Sequence, residues 1–162
     1  MQQSHPNDPM SMHWPTLLVI EDGTEQAVQV SAAARCARAG LAVHTAKDGL
    51  DGISYLAGTP PFEDRRRFTT PSLVLLNLNM SEVDGFEVLT WIRGQGAAVN
   101  VPVVVLTASP SVGDEKRARS LGAREIHSKP GAPDELTELI RSIVDRWIDA
   151  SEMIGAHMSA MG

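Results

Sequence analysis

Five short apolar runs alternate with segments of helical periodicity along the chain. The predicted strands span residues 17–20, 41–45, 72–76, 101–106 and 123–127. The predicted helices span 25–39, 48–56, 86–93 and 115–121, and a fifth begins at Pro133. Apolar runs without polar alternation are typical of strands buried on both faces. Their alternation with helices predicts an α/β fold, in which a doubly wound five-stranded parallel sheet is flanked by five helices.

The last helix carries the strongest periodic signal. Its apolar residues recur at spacings of three and four, and they are Leu136, Leu139, Ile140, Ile143, Val144, Trp147 and Ile148. Because this stripe is wide, we expect part of it to form a symmetric homodimer. The residues predicted for that interface are Ile140, Ile143, Val144 and Trp147.

The chain is expected to hold one folded domain between two tails. Residues 1–15 are polar and contain three prolines, and 150–162 have no clear pattern, so 16–149 form the predicted domain. The loop 58–71 is long for a compact α/β unit. Since only about a dozen residues follow the last helix, we expect no output domain that binds DNA or performs catalysis. Output is then expected through contact with another protein.

Composition narrows the class of protein. The 162 residues carry a net charge of −6, which disfavours nucleic-acid binding. The N-terminus lacks the pattern of a signal peptide and no apolar run is long enough to span a membrane. A soluble cytoplasmic protein is therefore expected. Cys36 is the only cysteine, so no internal disulfide can form, and its surroundings predict a small buried packing residue.

Polar residues stand at the ends of four of the five predicted strands. In open parallel sheets, the working crevice lies at the carboxyl ends of the strands. These residues are therefore expected to converge on one crevice. They are Glu21 and Asp22 after the first strand, Asn77 and Asn79 after the third, Thr107 after the fourth and Lys129 after the fifth.

The strand-end residues and their flanking segments resemble the receiver domain of two-component response regulators. The resemblance covers about residues 16–148 and rests on four segments: Leu-Leu-Val-Ile-Glu-Asp at 17–22, Leu-Val-Leu-Leu-Asn-Leu-Asn-Met-Ser-Glu-Val-Asp-Gly at 73–85, Val-Pro-Val-Val-Val-Leu-Thr-Ala at 101–108 and Ser-Lys-Pro at 128–130. It implies a flavodoxin-like fold. The loop 58–71 and the Arg146-Trp147 ending look most like the small stand-alone regulators that partner bacterial phytochromes.

The resemblance implies roles for individual residues. In the family, an aspartate at the end of the third strand accepts a phosphoryl group from a sensor histidine kinase. The narrower resemblance implies that the kinase partner of this chain is of the phytochrome type. By resemblance, Glu21 and Asp22 hold Mg²⁺ together with the backbone carbonyl of Asn79. Thr107 is then the switch hydroxyl, and Lys129 contacts the phosphoryl group. The family consists of signalling modules, so no enzymatic activity is expected.

This chain departs from the family at the acceptor, where Asn77 replaces the aspartate. A carboxamide is a very poor nucleophile and cannot form the usual acyl phosphate. Two unit charges ~4 Å apart interact by roughly 4 kcal/mol at an effective dielectric of about 20, so Mg²⁺ binding is expected to be weakened. Ser81 replaces the usual proline, and Ile126 stands where many receivers have an aromatic switch residue.

Several alternatives stay open from the sequence. Asn77 is consistent with a natural pseudo-receiver, with an introduced substitution of the acceptor, or with slow deamidation, although the following Leu78 disfavours the last. A structural, dimeric binding module without a metal or phosphate site is the alternative function. A phosphatase of the haloacid dehalogenase type needs aspartates at positions 77 and 79 and is disfavoured.

Overall fold

The structure, a computed structural model, describes residues 14–148. Most of both predicted tails therefore lies outside the described residues. Pro15, which was assigned to the N-terminal tail, is buried, and its carbonyl oxygen accepts a hydrogen bond from the amide of Ala42 at 3.0 Å. The folded body thus begins before residue 16.

Five strands and five α-helices alternate in the described residues. The strands are β1 (Thr16–Ile20), β2 (Ala42–Ala46), β3 (Leu73–Leu76), β4 (Val103–Thr107) and β5 (Glu125–Ser128). The helices are α1 (Thr24–Ala37), α2 (Gly49–Ala57), α3 (Gly85–Gly94), α4 (Val112–Ser120) and α5 (Pro133–Trp147). A short 3-10 helix, Gly96–Ala98, lies between α3 and β4. Each predicted element is present, and the bounds differ by a few residues at most.

The strands form one parallel sheet in the order β2-β1-β3-β4-β5. This confirms the predicted flavodoxin-like fold. From β1 the chain goes first to β2 on one side and then to β3 on the other, so the strand order reverses between β1 and β3. Such a switch point opens a crevice at the carboxyl ends of the two strands.

Two apolar cores lie on the two faces of the sheet. Leu17 and Val19 of β1 pack in the core beneath α1 and α5, whereas Leu18 and Ile20 pack beneath α2 and α3. Every residue of β1, β3 and β4 is buried. Burial on both faces explains why these strands are continuous apolar runs in the sequence.

Helix α4 is the most polar of the five helices and buries only Ala118. It begins three residues before the predicted start because a capping box forms at its N-terminus. The Ser111 hydroxyl accepts from the amide of Asp114, and the Asp114 carboxylate accepts from the amide of Ser111, both at 3.0 Å. These bonds satisfy amides that the first helical turn leaves unpaired.

The buried side of α5 corrects the predicted dimer interface. Ile140, Ile143 and Val144 are fully buried within the chain, where they pack against β1, β3, β4 and α1. They cannot contact a second chain, so the assignment of these three residues was wrong. The wide stripe is explained by simultaneous contact with the sheet and with α1. Trp147 is half-buried and lies at the edge of this core.

Cys36 also differs from its predicted environment, because its side chain is exposed. The buried residues of α1 are Val30, Ser31, Ala33 and Ala34. Position 36 lies outside this face, which the run of small residues in the sequence did not reveal.

The loop 58–71 packs around an aromatic cluster on the α2 side of the sheet. Phe62 and Phe68 lie 5.1 Å apart between ring centroids, and both pack on Tyr55 at 5.1 and 5.9 Å. His44 of β2 lies 5.6 Å from Phe68 and 5.8 Å from Tyr55. The Tyr55 hydroxyl donates to the carbonyl of Thr69 at 2.9 Å, which anchors the end of the loop.

Both ends of the described chain meet at the α1–β2 turn. The indole of Trp14 lies against Gly40, where an added Cβ would fall 2.1 Å from the ring. Gly40 also has a positive φ of 81°, which glycine adopts without strain. Two residues earlier, the Arg38 guanidinium donates to the carbonyl of Ile148 at 2.5 Å.

Within residues 14–148, no helix combines the length and the apolar character needed to cross a bilayer.

Candidate functional site

The predicted strand-end residues converge at the carboxyl edge of the sheet. Glu21 follows β1, Asn77 follows β3, Thr107 ends β4 and Lys129 follows β5. Hydrogen bonds or ion pairs join Thr107 to Asn77 and Lys129 to Glu21. The crevice predicted from the strand order is therefore formed by the residue types that the sequence placed there.

Asn77 lies at the centre of this edge and makes two hydrogen bonds with its amide. Its Oδ1 accepts from the hydroxyl of Thr107 at 2.9 Å, and its Nδ2 donates to the backbone carbonyl of Asn79 at 3.1 Å. A backbone carbonyl oxygen only accepts, so the –NH₂ end must face Asn79. This requirement fixes the amide orientation and leaves the oxygen toward Thr107.

Thr107, the predicted switch hydroxyl, and Ile126, at the usual position of an aromatic switch residue, are both buried. Thr107 is 1% exposed, so its hydroxyl depends on a partner inside the protein. Ile126 packs in the apolar core on the α2–α3 side of the sheet. An aliphatic side chain in that core has no ring to move between buried and exposed positions.

The side chain of Lys129 contacts Gln26 of α1 and Glu21. Its Nζ donates to Oε1 of Gln26 and lies 3.7 Å from the Glu21 carboxylate. Its backbone amide donates to the carbonyl of Thr107 at 2.7 Å, which ties the β5–α5 loop to the end of β4. Gln26 was missed by the sequence reasoning. Its position in the first turn of α1, four residues after Asp22, was the available signal.

Glu21 is a buried carboxylate, with 6% of its surface exposed. Its Oε1 accepts from the amide of Gly23 at 3.2 Å. Burial raises the pKa of Glu21 above its ordinary value, and the positive charge of Lys129 offsets part of that rise. The pair formed with Lys129 therefore compensates a charge that would be costly alone.

Asp22 is exposed and is engaged by the loop between β3 and α3. Its Oδ2 accepts from the amide of Ser81 at 3.2 Å and from the Ser81 hydroxyl at 3.4 Å. A proline at position 81 has no N–H and could not make the first of these bonds. The departure noted in the sequence thus creates a contact across the site.

The β3–α3 loop is fixed close to Asn77 by Gly85. The Gly85 amide donates to the carbonyl of Leu78 at 2.9 Å. A Cβ at position 85 would lie 2.5 Å from the carbonyl oxygen of Asn77 and 2.7 Å from Cα of Leu78. Only glycine allows α3 to begin this near to the end of β3.

The oxygens at the strand ends are candidate ligands for a divalent cation. Mg²⁺ requires oxygen ligands in near-octahedral arrangement. Glu21, Asp22 and the Asn79 carbonyl offer oxygens, but Asn77 presents an N–H group to that carbonyl. Across residues 14–148, no group of three or more His, Cys, Asp or Glu side chains is placed to hold a metal ion. As arranged, these residues fit a divalent cation poorly.

Comparison with sequence families and curated proteins gives consistent matches. The family described as the response regulator receiver domain matches residues 17–141. The chain is 34% identical over 79 residues to the polar-differentiation response regulator DivK of Brucella anthropi, covering 49% of this chain and 64% of DivK. It is 30% identical over 145 residues to the response regulator MprA of Mycobacterium tuberculosis, covering 88% of this chain and 57% of MprA. The chain thus spans less than two thirds of either relative.

Solved structures share the fold. The response regulator RPA3017 in red light signalling of R. palustris has a TM-score of 0.76 at 29% identity, covering 83% of this chain and 94% of that one. The Mn²⁺-bound form of the response regulator Rcp1 has a TM-score of 0.72 at 25% identity, covering 84% and 96%. The phosphorylated cyanobacterial phytochrome response regulator RcpA has a TM-score of 0.75 at 24% identity, covering 85% and 96%, which supports the fold alone.

The family match covers most of the chain, and the sheet order agrees with that of the receiver fold. This chain therefore belongs to the response regulator receiver domain family of two-component signalling.

Proposed function

We propose that this receiver domain signals through contacts with other proteins and without phosphorylation at residue 77. The observation that carries the proposal is the position of the Asn77 amide between the Thr107 hydroxyl and the Asn79 carbonyl. Both ends of the side chain already have partners within the site. The domain is then a pseudo-receiver or an acceptor-site variant of a receiver.

The chemistry of the amide supports this proposal. A carboxamide oxygen is uncharged and its lone pair is delocalised toward nitrogen, so it does not attack phosphorus to give an acyl phosphate. The Thr107 hydroxyl donates to Oδ1 of Asn77. Because Ile126 is buried in the core, the usual movement of an aromatic side chain is also missing. These features favour a single signalling state.

Weak Mg²⁺ binding is a second part of the proposal. Asn77 removes one negative charge from the site and turns an N–H donor toward the Asn79 carbonyl. Receiver domains generally bind Mg²⁺, and the related Rcp1 has been solved with Mn²⁺. Glu21 and Asp22 alone leave this chain with a weaker site.

The partners that we propose are proteins of the same signalling class. A sensor histidine kinase, of the phytochrome type, or a downstream protein would bind this domain in the cytoplasm. The support is indirect and comes from two relatives: AtBRR is a bacteriophytochrome response regulator, and RPA3017 acts in red light signalling.

A homodimer through α5 remains part of the proposal, with its contact surface moved to the outer side of the helix. Glu138 and Arg141 carry opposite charges there and pair within one chain. A two-fold interface places the same patch on both copies, so acidic and basic residues of one copy can face those of the other. Light scattering is expected to show a dimer that dissociates as salt rises from about 0.1 to 1 M. A monomer at low salt overturns this part.

The main proposal is tested by intact mass after incubation with acetyl phosphate and Mg²⁺, with Asn77→Asp alongside. We expect the parent to stay unlabelled and Asn77→Asp to gain one phosphoryl group. A labelled parent contradicts the proposal. If neither protein is labelled, the alternative gains support: a structural binding module with no functional metal or phosphate site.

A further inference from the structure

We propose that Ser81 is a second determinant of cation exclusion that acts on Asp22 independently of Asn77. The inference deepens the proposed function and rests on it, because it concerns the same strand-end site. Through its contact with Asp22, Ser81 lowers the affinity of the site for divalent cations.

The geometry links two elements that are distant in the sequence. Asp22 follows β1, whereas Ser81 lies in the loop between β3 and α3. Both polar groups of Ser81, the backbone N–H and the side-chain hydroxyl, donate to the same oxygen, Oδ2 of Asp22. Two donors on one oxygen draw the carboxylate toward the loop and occupy its lone pairs.

This contact competes directly with metal binding. A hard divalent cation binds through carboxylate and carbonyl oxygens. The Asn79 carbonyl accepts from Asn77, and Oδ2 of Asp22 accepts from Ser81. Two of the oxygen groups expected to face a cation are therefore already paired with hydrogen-bond donors, each supplied by a different residue.

The Ser81 contact is not required to hold the loop in place. The Gly85 amide bonds to the carbonyl of Leu78, and a capping box between Asp84 and Glu87 fixes the start of α3. Ser81 and Asp22 are both exposed, so little core packing depends on their contact. Restoring an aspartate at position 77 would free the Asn79 carbonyl and leave Asp22 engaged.

The test measures Mn²⁺ affinity by electron paramagnetic resonance, which reports free Mn²⁺ without any phosphoryl transfer. The full chain is compared as Asn77→Asp, Asn77→Asp/Ser81→Ala and Asn77→Asp/Ser81→Pro. Losing the hydroxyl alone is expected to tighten binding about threefold, and losing hydroxyl and N–H together about tenfold, in line with net hydrogen-bond contributions. Thr70→Ala in the Asn77→Asp background removes an exposed hydroxyl before β3, at the other edge of the sheet, and is expected to change nothing.

Unchanged Mn²⁺ affinity in both Ser81 variants overturns the inference. If thermal unfolding shows that the Pro variant is damaged, the Ala variant decides the question alone. The result is separable from the main proposal: labelling of the unsubstituted protein by acetyl phosphate contradicts the proposed function, whereas these affinities concern only the role of Ser81.

Discussion

The hydroxyl of Thr107 donates to Oδ1 of Asn77 across 2.9 Å, at a position where Thr107 is 1% exposed. The residue proposed as the switch hydroxyl is thus joined to the residue at the proposed acceptor position. The bond satisfies a buried hydroxyl and couples the ends of β3 and β4. It also makes the strength of this coupling measurable by substitution.

Replacing Thr107 by valine is expected to lower the free energy of unfolding by about 1–2 kcal/mol, because Oδ1 of Asn77 loses its only protein donor among the described residues. Thr107→Ser keeps the hydroxyl and should lose less. Urea unfolding followed by circular dichroism measures both. Because valine keeps the Thr107 methyl group, an unchanged free energy of unfolding in Thr107→Val would contradict a stabilising role of this hydrogen bond.

The low pKa of Glu125 predicts that the protein loses stability in acid. The hydrogen bonds from Arg146, helped by those from His127 and Trp147, hold the pKa of Glu125 at about 2 against an ordinary 4.5. A depressed pKa in the folded state means that the stabilisation is complete above pH 4.5 and disappears as the pH falls toward 2. Glu125→Gln should therefore cost about 1–2 kcal/mol at pH 7 and progressively less in acid.

The control for Glu125 is Glu63→Gln. Glu63 lies in the loop 58–71, and its side chain is exposed. Surface substitutions away from such contacts have small effects, so Glu63→Gln should change the free energy of unfolding by less than about 0.5 kcal/mol. Chemical unfolding at several pH values compares the two variants. Similar losses in both would contradict a special role for Glu125.

The lowered pKa of His44 predicts a second dependence of stability on pH, closer to neutral pH. Burial among Tyr55 and Phe68, with smaller effects of Arg67 and Arg35, lowers the pKa of His44 below its ordinary 6.5. Because the folded state disfavours the charged ring, stability should fall as the pH drops below 6.5. His44→Phe should flatten this dependence, as measured by urea midpoints at pH 7.5, 6 and 5. If the urea midpoint of His44→Phe depends on pH as strongly as that of the parent protein, His44 is not the source of the dependence.

Gly85→Ala is expected to destabilise the domain by about 1–3 kcal/mol. The added methyl would overlap the backbone of Asn77 and Leu78, and neither can move without disturbing β3. Gly94→Ala is the control on the same helix, since nothing lies within 4 Å of a Cβ there. Alanine favours helix, so Gly94→Ala should be neutral or stabilising by up to about 1 kcal/mol. Thermal unfolding of the two variants distinguishes steric overlap from helix propensity.

The sequence predicted the features that follow from hydrophobic periodicity or from a position at the end of a strand. β1, β3 and β4 were evident because burial on both faces requires unbroken apolar runs, as in Leu17 to Ile20. The strand-end residues were evident because parallel strands bring their carboxyl ends to one edge. Asn77, Thr107 and Lys129 were placed together on that ground, and the structure brings them together.

The features that were missed depend on which other element of the fold a side chain contacts. The stripe on α5 contains enough apolar surface for a dimer, but only the position of α1 decides that Ile140 and Ile143 are buried inside one chain. The small residues around Cys36 did not indicate whether its side chain would be buried or exposed. Gln26 and Ser81 make their contacts across loops with Lys129 and Asp22, and no periodicity reports such contacts.

The packing of Trp14 on Gly40, beside the Arg38 bond to Ile148, brings the beginning and the end of the folded body to one turn. The first and last described residues therefore both lie next to the α1–β2 turn. A short flexible linker from Ile148 back to Trp14 should permit circular permutation, with new termini opened in an exposed stretch of the polypeptide. Such a permutant would keep the sheet order while moving both attachment points for a fluorescent reporter or a surface tether.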